Sequence, residues 1–264
     1  MIIHSYLTDG FYDWAELFVK SFIYHHNNTH KIFLSTRGLT EEQIEKLQSL
    51  SPNLHISNKK LNLKEIANRA KVSVNKILKL KNHIENEAVT KNTYIWKQAI
   101  SVEDRYRNSI IEAMNFYSDE DYLIHFDIDM YFRKHLQDLF DIVTLNDISI
   151  KFRLKSKISR KVMGGLIGFK ISKKTRQFMK RWVHHIDAIP LDKKPLGYGQ
   201  TSFYLTYCDM KDELKWGYVP SRFISPRFTE ADVVWSGNTK AGKAKNLIRC
   251  VEDFTKRKNY NETK

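Results

Sequence analysis

The sequence predicts an α/β fold, a mixed but mostly parallel sheet flanked by helices. Three observations predict it. Short apolar runs alternate with stretches of helical periodicity along most of the chain. The 264 residues, 42% of them hydrophobic, suffice for one large core. Finally, the run Tyr122–Phe126 ends abruptly in Asp127 and Asp129, and strand carboxyl ends are where open α/β sheets bind ligands. If the strand stays extended, these two carboxylates project to one side, and such a pair attracts a cation.

In chain order, Ile2–Leu7 is a strand closed by the turn Thr8-Asp9-Gly10. Asp13 and Glu16 fit a capping box for a helix whose apolar face carries Trp14, Leu17, Phe18 and Phe22. Lys31–Thr36 is a second strand, and Thr40 with Gln43 opens a helix through Ile44 and Leu47 that must stop near Pro52. Leu54–Ile56 is a third strand. From Lys59 to Lys81, eight Lys or Arg face one acid, Glu65, around a helical stripe of Ile66, Ala70, Val74 and Ile77. That segment reads as a solvated helix face or as a basic surface for an anionic acceptor, polyanion or membrane. A long helix over Thr93–Tyr117 packs Ala99, Val102, Tyr106, Ile110 and Ala113, and sets Arg105 and Arg107 at the edges of its packed face. It leads into the strand that carries the two aspartates.

Ile148–Phe152 is a further strand, followed by Arg153, Lys155, Lys157, Arg160 and Lys161 in a basic loop. The loop either closes over phosphates or an acceptor or is merely solvated. Gly164, Gly165 and Gly168 lie in an apolar run, where a missing side chain admits a ligand or answers a packing need. Ser172 starts a helix with Phe178, Trp182 and Ile186 in its core face and His184 and His185 capping its end. Pro190 and Pro195 bracket a loop that contains Asp192 and leads to Gly197-Tyr198-Gly199-Gln200. The polar residues after Phe254 are expected to fray.

A formal charge of +14 and a pI near 9.5 imply acidic partners: nucleic acid, an anionic membrane surface or phosphate-bearing small molecules. Cys208 and Cys250 are far apart and lack metal-ligand spacing, which points to a reducing compartment rather than a disulfide framework or zinc site. No leader peptide opens the chain and no apolar run approaches the roughly 20 residues of a membrane span. The expectation is a cytoplasmic protein with room for peripheral contact at a membrane.

Ala99–Phe140, with its Arg-bearing helix, Ser-Asp-Glu-Asp loop, apolar strand and Asp-Ile-Asp-Met, resembles the core of a GT-A-fold (Rossmann-like), nucleotide-sugar-dependent glycosyltransferase with a DxD motif. Ile2–Asp9 resembles the first strand and nucleotide-pocket loop of that fold, and Met163-Gly-Gly-Leu-Ile-Gly-Phe-Lys170 the strand behind the donor sugar. Gly197–Phe203 resembles the helix start facing the reaction centre, and Val233–Lys243 a C-terminal Trp-His-x-Gly loop. The resemblance implies a single catalytic domain over 1–253, with a nucleotide-binding half to about 130, an acceptor-binding half beyond it and a basic tail from 254 to 264.

By that resemblance Tyr6, Thr8, Asp9, Arg105, Arg107, Asp127, Gly164, Gly165, Lys240 and Lys243 bind the nucleotide sugar, a UDP-sugar in preference to a GDP-sugar. Asp129 and Asp127 hold Mn²⁺ or Mg²⁺. Hard cations and phosphates suit these carboxylates, whereas zinc would ask for nitrogen or sulfur. The acceptor is a glycan or glycolipid, and no nucleic acid is expected. Two departures stand out. Ser236 occupies the place of a metal-binding His, leaving Asn238 or water as substitutes, and Gln200 stands where many inverting relatives carry an acid. A carboxamide is no general base, so Gln200 favours retention, with Asp192 as the alternative base. Two rivals differ in class. A phosphatase with Asp127 as nucleophile expects a small residue where Tyr131 stands and an Asp pair near the N-terminus, and a basic nucleic-acid-binding protein lacks any recognisable motif.

Overall fold

The structure, a computed structural model, describes residues 1–59, 108–153, 156–189, 197–225, 228–237 and 243–262. Within them β1 is Ile2–Thr8, α1 Tyr12–His26, β2 Lys31–Arg37, α2 Glu41–Gln48, β3 Leu54–Asn58 and α3 Ile110–Phe116. They are followed by β4 Tyr122–Asp127, β5 Met130–Phe132, α4 Gln137–Thr144, β6 Ile148–Phe152, β7 Val162–Lys170 and α5 Lys173–Asp187. The chain ends with α6 Tyr198–Met210, β8 Trp216–Tyr218, β9 Val234–Ser236 and α7 Lys243–Glu262. The basic Lys59–Lys81 segment past its first residue, and most of the predicted Thr93–Tyr117 helix, lie outside the described residues.

Seven strands form one sheet in the order β3-β2-β1-β4-β7-β6-β8, and β5 and β9 form a separate ribbon. The four strands from β3 to β4 are parallel, β7 runs against both its neighbours, and β8 lies parallel to β6 at the edge. Alternation along each strand divides the core. Ile3, Leu7, Ile124 and Phe126 join α1, α2 and α4 on one face, while Ile2, Leu123, Ile150, Ile167 and Phe169 join α3, α5 and α6 on the other. Gly168 answers the packing need of the two readings offered, since a Cβ there would lie 2.5 Å from Val143 Cγ2 of α4. Among the described residues no helix is long and apolar enough to cross a membrane.

Local expectations fare unevenly. Thr40 and Gln43 form their capping box, with Thr40 Oγ1 accepting from Gln43 N at 3.2 Å. The Asp13–Glu16 box does not form: α1 starts from Phe11 without a side-chain cap, and Glu16 is drawn instead to Lys20 and Lys46. Ser172 caps α5, but His185 reaches across to Asp209 of α6, 2.8 Å away, rather than serving its own helix end. The tail expected to fray is helical through Glu262, because Arg257 binds Asp253 and Glu230.

At the end of α1, His26 is buried, stacks on Phe22 at 4.6 Å between ring centroids and accepts a hydrogen bond from Leu136 N at 3.3 Å. Burial and the nearby His135 and His30 push its pKa down to about 3, and burial with Arg257 pushes His25 down to about 4. Below the ordinary value near 6.5 the unfolded chain takes protons the native one refuses, so this contribution to stability is lost as pH falls from 6.5 toward 4. For His26 alone the loss between pH 6.5 and 5 is about 2 kcal/mol. A His26→Gln variant keeps an acceptor for Leu136 and removes the titration. Its melting temperature should drop about 4 °C less than the wild type's between pH 7 and pH 5, and equal drops would refute this account.

Candidate active site

Strand order reverses between β1 and β4, and the crevice outside the carboxyl ends at such a switch point is where α/β sheets bind ligands. Tyr6 pairs in register with Asp127 there, and Thr8 lies opposite Arg37 of β2. The two strands are fixed below this point by Ser5 Oγ, which donates to Phe126 O at 2.8 Å, and by His4 and His125, whose Nδ1 atoms share a hydrogen bond of 2.9 Å. Asp127 closes β4, and Ile128 and Asp129 form a turn into β5, anchored by Ile128 in the core. The aspartates therefore do not share one extended strand; a turn, not strand alternation, sets their separation.

Asp127 Oδ2 lies only 2.7 Å from where a Cβ on Gly165 would stand, so the glycine leaves room for the carboxylate over β7. Gly164 is the next residue along the same strand and is buried. Asp129 is 6% exposed, and its carbonyl accepts from Gly237 N at 2.7 Å. Antiparallel pairing of Met130 with Ser236 and Tyr131 with Trp235 brings the buried Ser236 beside it. Gly237 is required by close approach, because a Cβ there would lie 2.5 Å from Trp14 Cη2. The structure thus joins Tyr6, Thr8, Asp127, Gly165, Asp129 and Ser236 around one end of the sheet.

Gln200 stands in the first turn of α6, which starts from Gly197 in the left-handed region (φ 80°) and packs on β7. Trp182 Nε1 donates to Gly199 O at 3.1 Å and fixes that turn. Asp192, Arg105, Arg107, Asn238 and Lys240 lie outside the described residues; Asp9 begins the one-turn helix Asp9–Phe11, and Lys243 opens α7. Sequence reasoning missed Arg37, a buried cation ending β2 whose guanidinium lies 5.7 Å from the Tyr6 ring centre. Its signal was a basic residue directly after the apolar run Lys31–Thr36.

The ribbon is held from behind by Arg133, which is 1% exposed. Its guanidinium donates to Asp253 Oδ2 at 3.1 Å, to Glu230 Oε2 at 2.7 Å and to Thr229 O at 2.8 Å, and lies 3.9 Å from the Trp235 ring centre. Tyr131 donates to the same Asp253 carboxylate at 2.9 Å. Burial alone would raise the Asp253 carboxyl, but the bonds from Arg133, Arg257 and Tyr131 hold it below its usual value. Burial and Asp253 push the neighbouring Cys250 thiol up to about 12, so it packs as an inert apolar group.

Among the described residues no group of three or more His, Cys, Asp or Glu side chains is arranged to hold a metal ion. The local donors are carboxylate and hydroxyl oxygens from Asp127, Asp129 and Ser236, and such a set fits a hard divalent cation whose remaining ligands come from water or phosphate.

The mixed, mostly parallel sheet with β7 reversed beside the Asp-bearing strand has a GT-A fold, as in the glycosyltransferase structures it matches. No family model matches the sequence, and no curated protein matches it. Among solved structures, the galactosyltransferase LgtC in complex with donor and acceptor sugar analogs superposes with a TM-score of 0.57 at 14% identity, covering 96% of this chain and 95% of that one. An active-site mutant of LgtC gives 0.60 at 12%, covering 97% and 96%. The glycosyltransferase GlyE of Streptococcus pneumoniae TIGR4 gives 0.53 at 11%, covering 90% of this chain and 54% of that one.

Replacing Arg133 with Met should cost about 3 kcal/mol, because Asp253 loses its main partner in a largely buried setting. At roughly 2–4 °C per kcal/mol, the melting temperature should fall by about 6–12 °C, with Arg133→Lys recovering only part of that. A change within 2 °C, about 0.5 kcal/mol, would show that the pair does not hold the ribbon.

Proposed function

We propose that the chain is a metal-dependent glycosyltransferase that moves a sugar from a nucleoside diphosphate, preferentially a UDP-sugar, to a saccharide acceptor with retention of configuration. The observation that carries this reading is the convergence of Asp127, Asp129 and Ser236 on one end of the sheet at its switch point.

Tyr6 and Thr8, at the end of β1, suit the nucleoside, and Arg37 supplies positive charge on the phosphate side. Asp127 and Asp129 would hold a Mn²⁺ or Mg²⁺ ion, which when bound neutralises charge developing on the diphosphate leaving group. Gly165 leaves room for the Asp127 carboxylate over β7, which sets that ligand toward the donor. Gln200 orients the sugar by hydrogen bonds and takes no proton, since its carboxamide is not basic. A base for the acceptor hydroxyl then comes from the leaving phosphate. The chain's net charge of +14 favours acidic acceptors and contact with anionic surfaces.

A thermal-shift screen of UDP, GDP, CMP and dTDP sugars with and without Mn²⁺ tests the reading. One nucleotide at a hundredfold its dissociation constant should add about 2.7 kcal/mol, several degrees, only with metal present. Asp129→Ala should melt like the wild type without ligand, yet lose both this shift and sugar transfer. Full turnover by Asp129→Ala would overturn the assignment.

A further inference from the structure

We propose that an aromatic cluster at the β8 edge of the sheet is a second saccharide subsite, which binds an anionic oligosaccharide extending from the acceptor position. The proposal rests on the glycosyltransferase reading for its place in catalysis, though not for its ability to bind saccharide.

Tyr218 is 63% exposed on the edge strand. Phe152 lies 4.7 Å from Tyr207 and 5.7 Å from Tyr218 between ring centres, Tyr207 stacks on Tyr204 at 5.8 Å, and Trp216 closes the group 4.8 Å from Tyr207. Burial and the nearby Tyr218 push the Tyr207 hydroxyl's pKa up, so it stays protonated. Tyr218 is exposed and the other four rings are half-buried, so the group offers solvent an aromatic contact surface backed by the core. Three of its five rings are tyrosines, which present an apolar face and a hydroxyl together. A sugar ring is matched to that combination, with C–H bonds on its faces and hydroxyls around its rim.

Position ties the cluster to the active site. Asp127 reaches over Gly165, antiparallel register sets Phe152 beside Val162, and Tyr218 pairs with Ile150, so all lie toward one end of the sheet. Three strand spacings separate β4 from β8, about 14 Å. Helix α6 bridges the gap, because Gln200, Tyr204 and Tyr207 recur at i, i+4 and i+7 on one face over about 10 Å.

Charge selects the ligand. Arg153, Lys157 and Arg160 are exposed around the one-turn helix Ile158–Arg160, which packs on α6, and none has an ion-pair partner among the described residues. Nearby Asp209 is already taken by Arg181 and His185, and Asp147 accepts from Lys215 N. Exposed cations beside sugar-sized ring faces fit a saccharide that carries carboxylate, sulfate or phosphate groups.

Calorimetric titration with a heparin-derived hexasaccharide, chitohexaose and maltohexaose tests the proposal on the whole chain, with light scattering and the UDP–Mn²⁺ thermal shift run in parallel. The wild type should bind the anionic hexasaccharide most tightly. Tyr218→Ala should weaken binding of every hexasaccharide that binds by about tenfold, while keeping the melting temperature and the UDP shift. Arg160→Glu should weaken only the anionic ligand. The proposal fails if no hexasaccharide binds, if Tyr218→Ala binds as the wild type does, or if Tyr218 instead supports self-association without saccharide. Tyr218-dependent binding without any nucleotide shift would sink the glycosyltransferase reading and leave the subsite standing; a nucleotide shift without hexasaccharide binding would do the reverse.

Discussion

The buried guanidinium of Arg133 is the constraint on which the site depends. Taking a charge out of water costs several kcal/mol, and that cost is offset only where the partner and the remaining donors are satisfied. Asp253, Glu230, Thr229 O and the face of Trp235 do so together. The consequence is structural: a residue of the loop after β5, the loop before β9 and the last helix meet at one point. Without that meeting, two three-residue strands would have little to hold them, and Asp129 would have no fixed relation to Ser236.

The sheet and the ribbon divide the work. Parallel strands β1 and β4 present their carboxyl ends at the switch point and offer Tyr6, Thr8 and Asp127. The ribbon follows β4 after a two-residue turn and delivers Asp129 and Ser236. Two glycines mark where these parts touch. Gly165 makes room for a carboxylate, and Gly237 makes room for Trp14 against the Asp129 backbone. In both places a side chain would separate what the fold brings together.

Much of this was legible in the sequence because it is written locally. Apolar runs matched β1, β2, β4 and β6 to within a residue and β3 to within two, and the abrupt end of Tyr122–Phe126 in acid marked the end of β4 at the switch point. Contacts between distant residues were not legible. The β5–β9 pairing joins segments too short for periodicity to reveal, and Arg133 looks in sequence like any surface cation beside Lys134. Asp13 and Glu16 matched a capping pattern, but Lys46 from α2 claimed Glu16. The last helix was hidden by its polar composition, although Leu247, Cys250 and Phe254 keep a helical spacing that packs against Trp14 and Trp235. Gln200 was placed correctly at a helix start, while its role rests on chemistry rather than on a contact.

The central claim is that Asp127 and Asp129 form the protein's half of a metal–diphosphate clamp. Electron paramagnetic resonance of Mn²⁺ with UDP carrying ¹⁷O on its β-phosphate measures this directly. The account predicts that protein and UDP together abolish the free-ion signal, that the bound signal is broadened by ¹⁷O, and that Asp129→Asn restores the free ion. Mn²⁺ binding that ignores UDP, shows no ¹⁷O broadening and persists in Asp129→Asn would contradict it.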